Sequence, residues 1–330
     1  MTATKYTRWL ATFAAVLTLV VVALGAWTRL SDAGLGCPDW PGCYGHWTVP
    51  TTDAQLERAA ELFPEHTVEM AKAWPEMIHR HFAKLLGLSI LLLAFLAWRN
   101  RKEGHPVVLP LFLAVLVCVQ GAFGAWTVTM KLMPVVVTAH LLLGFTTLSL
   151  LAVLALQLHG KISPLPVSLS LRRHLLAAFA LVVAQIALGG WTSSNYAALA
   201  CTDLPVCQGD WWAADYGEGF SLHLADINYE FGVLQHEARV AIHSAHRIGA
   251  WLVLLVVGWL VWRLWQQGGA GPRYAVLVGG LLTVQILLGI SNVVFGLPLW
   301  VAVAHNNVGA LLMISLLLTL LATARGKEMS

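Results

Sequence analysis

Four histidines at matched positions are the residues of this sequence whose type and spacing indicate chemistry. His79 and His140 are 61 residues apart, and His246 and His305 are 59 apart. Each lies within an apolar stretch, a few residues from its beginning. Ionisable residues inside such stretches are costly to bury and are commonly functional. Two neutral imidazoles that face each other across a helix bundle can bind one heme iron, so the sequence predicts two bis-histidine sites.

Other interpretations of the histidines carry less weight. A single buried histidine is ordinarily a hydrogen-bonded helix contact, but a matched pair in both halves favours heme. A bare metal ion fits less well because neither pair has further carboxylate or thiolate ligands. Small residues flank three of the histidines and would let a flat macrocycle approach, although they also suit ordinary helix packing. They are Ala139, Gly144, Ala245, Gly249, Ala304 and Gly309.

Charged residues beside two histidines extend the predicted sites. Arg80 and Arg247 each follow a histidine directly, and their guanidinium groups could bind heme propionates or instead snorkel to lipid headgroups. Glu76 precedes His79 by three residues and shares its helix face, whereas the second half has His243 at that place. A carboxylate beside a substrate can take protons or stabilise positive charge, although an acid near a helix start can also be purely structural. Because Glu76 in the first half is matched by His243 in the second, we predict that the first half carries out the reaction and the second half relays electrons.

Two cysteine pairs have the same spacing. Cys37 and Cys43 are six residues apart, as are Cys201 and Cys207, and both pairs lie in loops predicted to face outside. Because that compartment is oxidising, we predict two disulfides that hold a loop cap over the outer helix ends. A zinc site is the alternative, but it usually has closer spacing and four ligands. Cys118, within a span, is predicted to be a small core residue.

The composition shows what kind of element must position these residues. Of 330 residues, 58% are hydrophobic and only 11% are charged, and the mean hydropathy is +0.71. Because a soluble domain has about 25% charged residues, this excludes a soluble enzyme, a disordered chain and a nucleic-acid binder. The net charge of +3 is too small to indicate an acidic partner. We predict an all-α integral membrane protein surrounded by lipid.

Eight stretches are long and apolar enough to be transmembrane helices, which need about 20 residues. They cover residues 9–28, 77–98, 107–129, 135–157, 174–194, 239–262, 274–295 and 299–322. The first could be a signal peptide, but its apolar stretch is too long for one. Most Lys and Arg residues outside the spans lie on the side that holds both termini. This predicts cytoplasmic N and C termini, with the loops at about 29–76 and 195–238 outside.

The chain repeats itself at half its length. Gly25 to Thr28 ends the first span and Gly190 to Thr192 ends the fifth, and a cysteine pair follows each. A His-Arg dipeptide then occurs on the second span of each half, and a histidine on the fourth. Because each half has an even number of spans, the halves have the same orientation. We predict two parallel-repeat four-helix bundles, residues 1–160 and 161–330, with sites between facing helices.

These residues and their order resemble the heme A synthase family, and the resemblance covers nearly the whole chain. It is carried by Gly25 to Thr28, Arg29 to Cys43, Glu76-x-x-His79-Arg80, His140, His246-Arg247 and Ala304-His305-Asn306. It implies an eight-helix enzyme that oxidises the C8 methyl group of heme O to a formyl group through the hydroxymethyl compound heme I.

The resemblance also implies a role for each site residue. His246 and His305 would hold a permanent heme b, His79 and His140 would hold the substrate heme O, and Glu76 would lie near the reacting methyl. Since two axial histidines block dioxygen at iron, this arrangement favours electron removal, with Glu76 stabilising a cationic methyl.

The location and partners follow from the same resemblance. The enzyme would lie in the cell inner (plasma) membrane, with its heme sites towards the outer face. Heme O synthase is the expected partner, the electron acceptor is not identified by any residue, and a homo-oligomer is compatible with the pattern.

Two other classes of membrane protein, an electron carrier and a transporter, would require different sequence features. A diheme b-type electron carrier is the main alternative. Such carriers often place two histidines on one helix to stack hemes across the membrane, whereas here both hemes would lie at one depth and Glu76 would have no role. A transporter needs broken helices with polar sites at mid-membrane, but the polar residues here cluster at the outer end.

Overall fold

Eight long helices account for the eight predicted spans. The computed structural model describes residues 5–207 and 211–327, with side chains described as far as residue 324. The helices are α1 (Lys5–Leu30), α2 (Asp53–Leu62), α3 (Met70–Arg99), α4 (Val108–Thr129), α5 (Pro134–Leu158), α6 (Leu169–Ser194), α7 (Tyr216–Gly219), α8 (His236–Trp265), α9 (Gly271–Val294) and α10 (Leu299–Lys327). All except α2 and α7 are long and apolar enough to cross a membrane. No β-sheet forms within the described ranges. The prediction of an all-α membrane protein with eight spans is confirmed.

Most of the helices extend beyond the predicted spans. The largest difference is at α3, which begins at Met70 rather than at residue 77 and includes Pro75 near its start. Hydropathy marks only the part of a helix that suits hydrocarbon, whereas helical hydrogen bonding continues into polar residues outside it. Pro75 is the sixth residue of α3, past the first turn, so it removes the hydrogen bond that an N–H there would donate to the Ala71 carbonyl oxygen. The short turn between α9 and α10 is as predicted, with Gly296 at a φ of +66°.

The long helices pack in two sets of four. Contacts close a ring through α1, α3, α4 and α5, and a second ring through α6, α8, α9 and α10. The sets meet where α1 contacts α10 and where α5 contacts both α6 and α10. At the outer end, Arg29 of α1 donates to the carbonyl oxygen of Ser193 on α6 (2.5 Å). Residues 1–4 of the predicted first half, and residues 208–210 and 328–330 of the second, lie outside the described ranges.

The two long loops predicted to face outside contain both predicted disulfides. Cys37 is bonded to Cys43 with a Cα–Cα distance of 4.8 Å, and Cys201 is bonded to Cys207 with a distance of 5.0 Å. The segment from residue 48 to 75, for which the sequence suggests no role, contains α2 and packs on the first disulfide. Val49 and Ala59 are buried in a cluster with Cys37 and Cys43.

The prediction that Cys118 belongs to the core is wrong. Its side chain is exposed on α4. Among the described helices, α4 packs mainly against α3 and α5, so much of its surface faces away from the protein. A small apolar residue on such a surface fits lipid as well as it fits a core, and hydropathy does not separate the two.

Candidate functional site

Each of the four histidines lies against a glycine of the preceding long helix. A Cβ atom built on each glycine would lie 2.9 to 3.3 Å from Cε1 of the facing imidazole. The pairs are Gly25 with His79, Gly124 with His140, Gly189 with His246, and Gly289 with His305. Each glycine is five residues before the last residue of its helix. At 1.5 Å per residue, the four imidazoles therefore lie at a similar depth, about 7 Å from the C-terminal ends of α1, α4, α6 and α9.

This arrangement shows a finer repeat than the one read from the sequence. The same helix-pair contact occurs four times, twice in each half. The structural counterpart of Gly25 in the second half is Gly189, one residue before the Gly190 with which the sequence aligned it. Gly124 is followed by Ala-Trp-Thr, as Gly25 is, so this inner repeat is visible in the sequence once the position is known.

The imidazoles are brought together in the two predicted pairs. His140 lies close enough to His79, and His246 close enough to His305, for the two rings of each pair to interact electrostatically if they are charged. The Nδ1 atoms of His79, His140 and His305 are buried with no hydrogen-bond partner among the described residues. A buried polar nitrogen left unpaired costs free energy, so one nitrogen of each ring is left for a ligand, while the His79 ring also bonds the backbone of Val21 and the His305 ring bonds Gln285.

Three glutamines that sequence reasoning missed lie beside three of the histidines. Nε2 of Gln120 donates to the backbone carbonyl oxygen of His140 (2.9 Å). Nε2 of Gln185 donates to the backbone carbonyl oxygen of His246 (2.8 Å) and lies 3.0 Å from His246 Nδ1. Nε2 of Gln285 lies 3.3 Å from His305 Nε2. Each glutamine precedes its histidine-facing glycine by four residues. A recurrent Gln-x-x-x-Gly at the outer end of a span was the signal that could have revealed them.

The glutamines also explain three of the small residues near the histidines. A Cβ on Gly144 or Gly309 would lie 3.2 or 3.3 Å from Nε2 of the facing glutamine, and one on Gly249 would lie 2.0 Å from Oε1 of Gln185. The space beside these glycines is thus filled by side chains of the neighbouring helix. Helix packing, rather than access for a macrocycle, accounts for them.

Glu76 is buried between its own helix and the first disulfide loop. Its side chain is about 5% exposed, and Oε1 lies 2.5 Å from a terminal nitrogen of Arg80, one turn along α3. Oε2 accepts a hydrogen bond from the backbone N–H of Cys37 (2.9 Å). The carboxylate is therefore fixed in position on the same face of α3 as His79.

Arg80 and Arg247 bind the two disulfide loops in the same way. Arg80 donates to the carbonyl oxygens of Asp39 (2.8 Å) and Gly42. Arg247 donates to the carbonyl oxygens of Cys201 (2.8 Å) and Asp203. Each guanidinium group thus ties a loop to the helix that carries a histidine. Propionate binding by these arginines stays a prediction.

The counterpart of Glu76 in the second half behaves differently. His243 is buried, and its Nδ1 is hydrogen-bonded to the carbonyl oxygen of Ala197 (2.9 Å). Among the described residues, Arg247 forms no ion pair equivalent to that of Arg80 with Glu76. A buried charge pair beside a histidine is therefore present only in the first half.

The residues fit two hemes, each bound by two axial histidines. The rings are paired, they lie at one depth, and three have a buried nitrogen that the protein leaves unsatisfied. The described residues contain no group of three or more His, Cys, Asp or Glu side chains that could hold a bare metal ion. Paired imidazoles supply the donor set that heme iron takes from two facing helices.

Replacing Gly289 by valine is expected to remove at least nine-tenths of the heme held at His305. The new side chain would occupy the space of the imidazole, since even a Cβ there would lie 3.2 Å from its Cε1. Gly280→Val is the matched control, because Gly280 lies on the same helix with nothing within 4 Å of such a Cβ. Heme content per purified chain, from pyridine hemochrome spectra, measures the effect. Equal heme loss in both variants would mean that β-branching in α9, not contact with His305, is responsible.

Comparison with known proteins gives a consistent result. A family model described as cytochrome oxidase assembly protein matches residues 8–317. The chain is 48% identical to a heme A synthase of Shewanella oneidensis over 93% of this chain and 94% of that protein. It is 28% identical to a heme A synthase of Halalkalibacterium halodurans over 94% of each chain. It is 27% identical to one of Granulibacter bethesdensis over 92% of this chain and 83% of that protein.

Proposed function

Since this chain belongs to the heme A synthase family of cytochrome oxidase assembly proteins, we propose that it oxidises the C8 methyl group of heme O to a formyl group. The observation that carries the proposal is the asymmetry between two otherwise similar sites. Both halves present a histidine pair framed by glycines, but among the residues that the structure describes only the first half has a buried carboxylate on the histidine face. One site is thus equipped for chemistry on its ligand, and the other only to hold a ligand.

The first half, residues 1–160, binds the substrate in this proposal. His79 and His140 would bind the heme O iron between α3 and α5. Glu76, one turn before His79 on the same helix face, would then lie near the reacting methyl group. The loop closed by Cys37 and Cys43 covers the outer side, because Arg80 and Glu76 both bind it.

Glu76 acts in two successive oxidations of the methyl carbon. In the first, two electrons leave the methyl group and water adds, which gives the hydroxymethyl compound heme I and two protons. In the second, two more electrons leave and water adds again, which gives two protons and a geminal diol that loses water to leave the aldehyde. Positive charge develops on the methyl carbon, or a proton leaves it, as electrons are removed. A carboxylate held in a site with little water can stabilise that charge or accept that proton. Its bonds to Arg80 and Cys37 keep it oriented through both steps.

The second half, residues 161–330, holds heme b between His246 and His305. When bound, heme b supplies one-electron redox chemistry and relays electrons away from the substrate. The protein's contribution is to fix both imidazoles, with Gln185 on His246 and Gln285 on His305. His243, in the place of Glu76, has its Nδ1 engaged with the backbone carbonyl of Ala197 and carries no carboxylate.

Location and partners complete the proposal. The chain lies in the cell inner (plasma) membrane with both heme sites near the outer face, and Arg80 and Arg247 lie at the level expected for propionates. Heme O synthase supplies the substrate, and a separate electron acceptor receives the electrons. A homo-oligomer is consistent with the lipid-facing surface of α4.

The test is to express the chain in a membrane that makes heme O, purify it, and identify the extracted hemes by chromatography with mass spectrometry. We expect heme b together with heme I or heme A. Two heme b molecules per chain, with no heme O derivative, would contradict the proposal and indicate a diheme electron carrier. A colourless protein would indicate a transporter.

A further inference from the structure

Arg29 is a largely buried cation at the contact between the two halves. Its side chain is 14% exposed, one terminal nitrogen donates to the carbonyl oxygen of Ser193 on α6 (2.5 Å), and its Cζ lies 4.0 Å from the centroid of the Tyr196 ring. The carboxylate of Asp32 is 3.8 Å from the other terminal nitrogen and is 43% exposed. A guanidinium group has five N–H donors, and Nε of Arg29 is buried with no partner among the described residues. The protein therefore leaves part of this buried charge unsatisfied.

The hydroxyl of Tyr196 is a second polar group that lacks a partner at the same place. Tyr196 lies two residues beyond the end of α6, and its hydroxyl is buried without a hydrogen bond to any residue that the structure describes. Because its ring lies against the guanidinium of Arg29, the two unpaired donors belong to side chains in contact. Buried polar groups left unpaired cost free energy, and a buried charge costs more. A carboxylate would satisfy both, since it carries a negative charge and accepts several hydrogen bonds.

The position of Arg29 relates this pair of donors to the first histidine site. Arg29 is four residues after Gly25, the glycine that contacts His79, so both lie on one face of α1. At 1.5 Å per residue, Arg29 lies about 6 Å further along the helix than that contact. The residue four positions after Gly189 in the second half is Ser193, which is uncharged. A cation at this place therefore belongs to the helix of the first half.

We propose that Arg29 and Tyr196 form a carboxylate site between the two halves, and that this site binds a propionate of the substrate heme. The inference rests on the proposed function, since heme O in the first half is the ligand. Propionates lie at the edge of the macrocycle, so a heme held at His79 can present one to a residue one turn further along α1. The terminal nitrogens of Arg80 and Arg247 are already bound to groups of the protein, mainly loop carbonyl oxygens. Because Tyr196 follows α6, the site would join the substrate to both halves.

Titration of the purified, full-length protein with heme O and with its dimethyl ester, whose propionates carry no charge, tests the inference. The protein is produced in a membrane that makes heme b but no heme O, and binding is followed by absorbance. The wild type should bind heme O at least about tenfold more tightly than the ester, since the ester loses a charge-assisted hydrogen bond. Arg29→Gln should bind both compounds equally, and Arg29→Lys should show an intermediate preference because it keeps the charge without the guanidinium fork. Tyr196→Phe should lower the preference about threefold. Arg58→Gln, at an exposed position of α2, is the matched control and should behave as the wild type.

The outcomes separate this inference from the proposed function. A wild type that binds and oxidises heme O but binds the ester equally well leaves the proposed function intact and overturns the inference. A preference for heme O that survives in Arg29→Gln also overturns it, because another cation would then bind the propionates. A chain that binds no heme O contradicts both. Heme b content reports whether each variant is folded, and if Arg29→Gln does not retain heme b, the wild type and Tyr196→Phe decide the question.

Discussion

Glu76→Gln is expected to reduce the conversion of heme O by at least about 100-fold while heme O and heme b remain bound, because a positioned acid–base or charge-stabilising group contributes on that order. Glutamine keeps the shape of the side chain and can still accept the hydrogen bond from the Cys37 N–H. It cannot accept a proton from the substrate or balance a positive charge. The purified variant should therefore yield heme b and unreacted heme O.

Folding is the main concern in this experiment, since Arg80 would lose its charged partner. Removing one member of a buried pair typically destabilises a protein by about 3 to 5 kcal/mol. Glutamine lessens this loss only in part, because its one amide oxygen can replace the acceptor toward the Cys37 N–H or the acceptor toward Arg80, and its NH2 group then faces the other donor. Glu57→Gln, at an exposed position of α2, is the control and should convert heme O at the wild-type rate. Wild-type conversion by Glu76→Gln with intact heme content would remove Glu76 from the mechanism.

His246→Ala is expected to lose heme b and, with it, all measurable turnover, whereas His79→Ala should retain heme b and lose only the first-half chemistry. The reason is that each pair is separate, with His246 interacting with His305 and His140 with His79. Alanine leaves a cavity and one axial ligand, which is insufficient for stable heme retention. The measurement is the amount and type of heme extracted per chain.

His81→Ala is the matched control for this comparison, because His81 is exposed on α3 two residues after His79. It should have the wild-type content of both hemes. Loss of heme b from His79→Ala with retention in His246→Ala would reverse the assignment of the two halves.

Features that depend on local composition could be predicted from the sequence. A membrane helix requires a long apolar stretch, so hydropathy located all eight spans. It did not locate the polar ends of the helices, such as the segment of α3 that begins at Met70. The cysteine pairs were predictable because a six-residue spacing in an outer loop leaves few other partners. The pairing of His79 with His140, and of His246 with His305, is consistent with the structure, in which α3 faces α5 and α8 faces α10 across their four-helix rings.

Features that depend on tertiary contacts could not be predicted in this way. The guanidinium of Arg80 reaches carbonyls 38 and 41 residues away, and no periodicity indicates which carbonyls a loop will present. The glutamines were missed because a polar amide in an apolar helix has no fixed partner until the neighbouring helix is placed. Cys118 was misassigned because a lipid-facing surface and a protein core select similar residues.

The position of α10 makes the two halves depend on each other. This helix carries His305 of the second half, yet it packs against α1 and α5 of the first half as well as α6 and α9 of the second. A change that displaces α10 therefore reaches both halves. Deleting α10 would remove more than one ligand, because α1 and α5 would also lose their contacts with it.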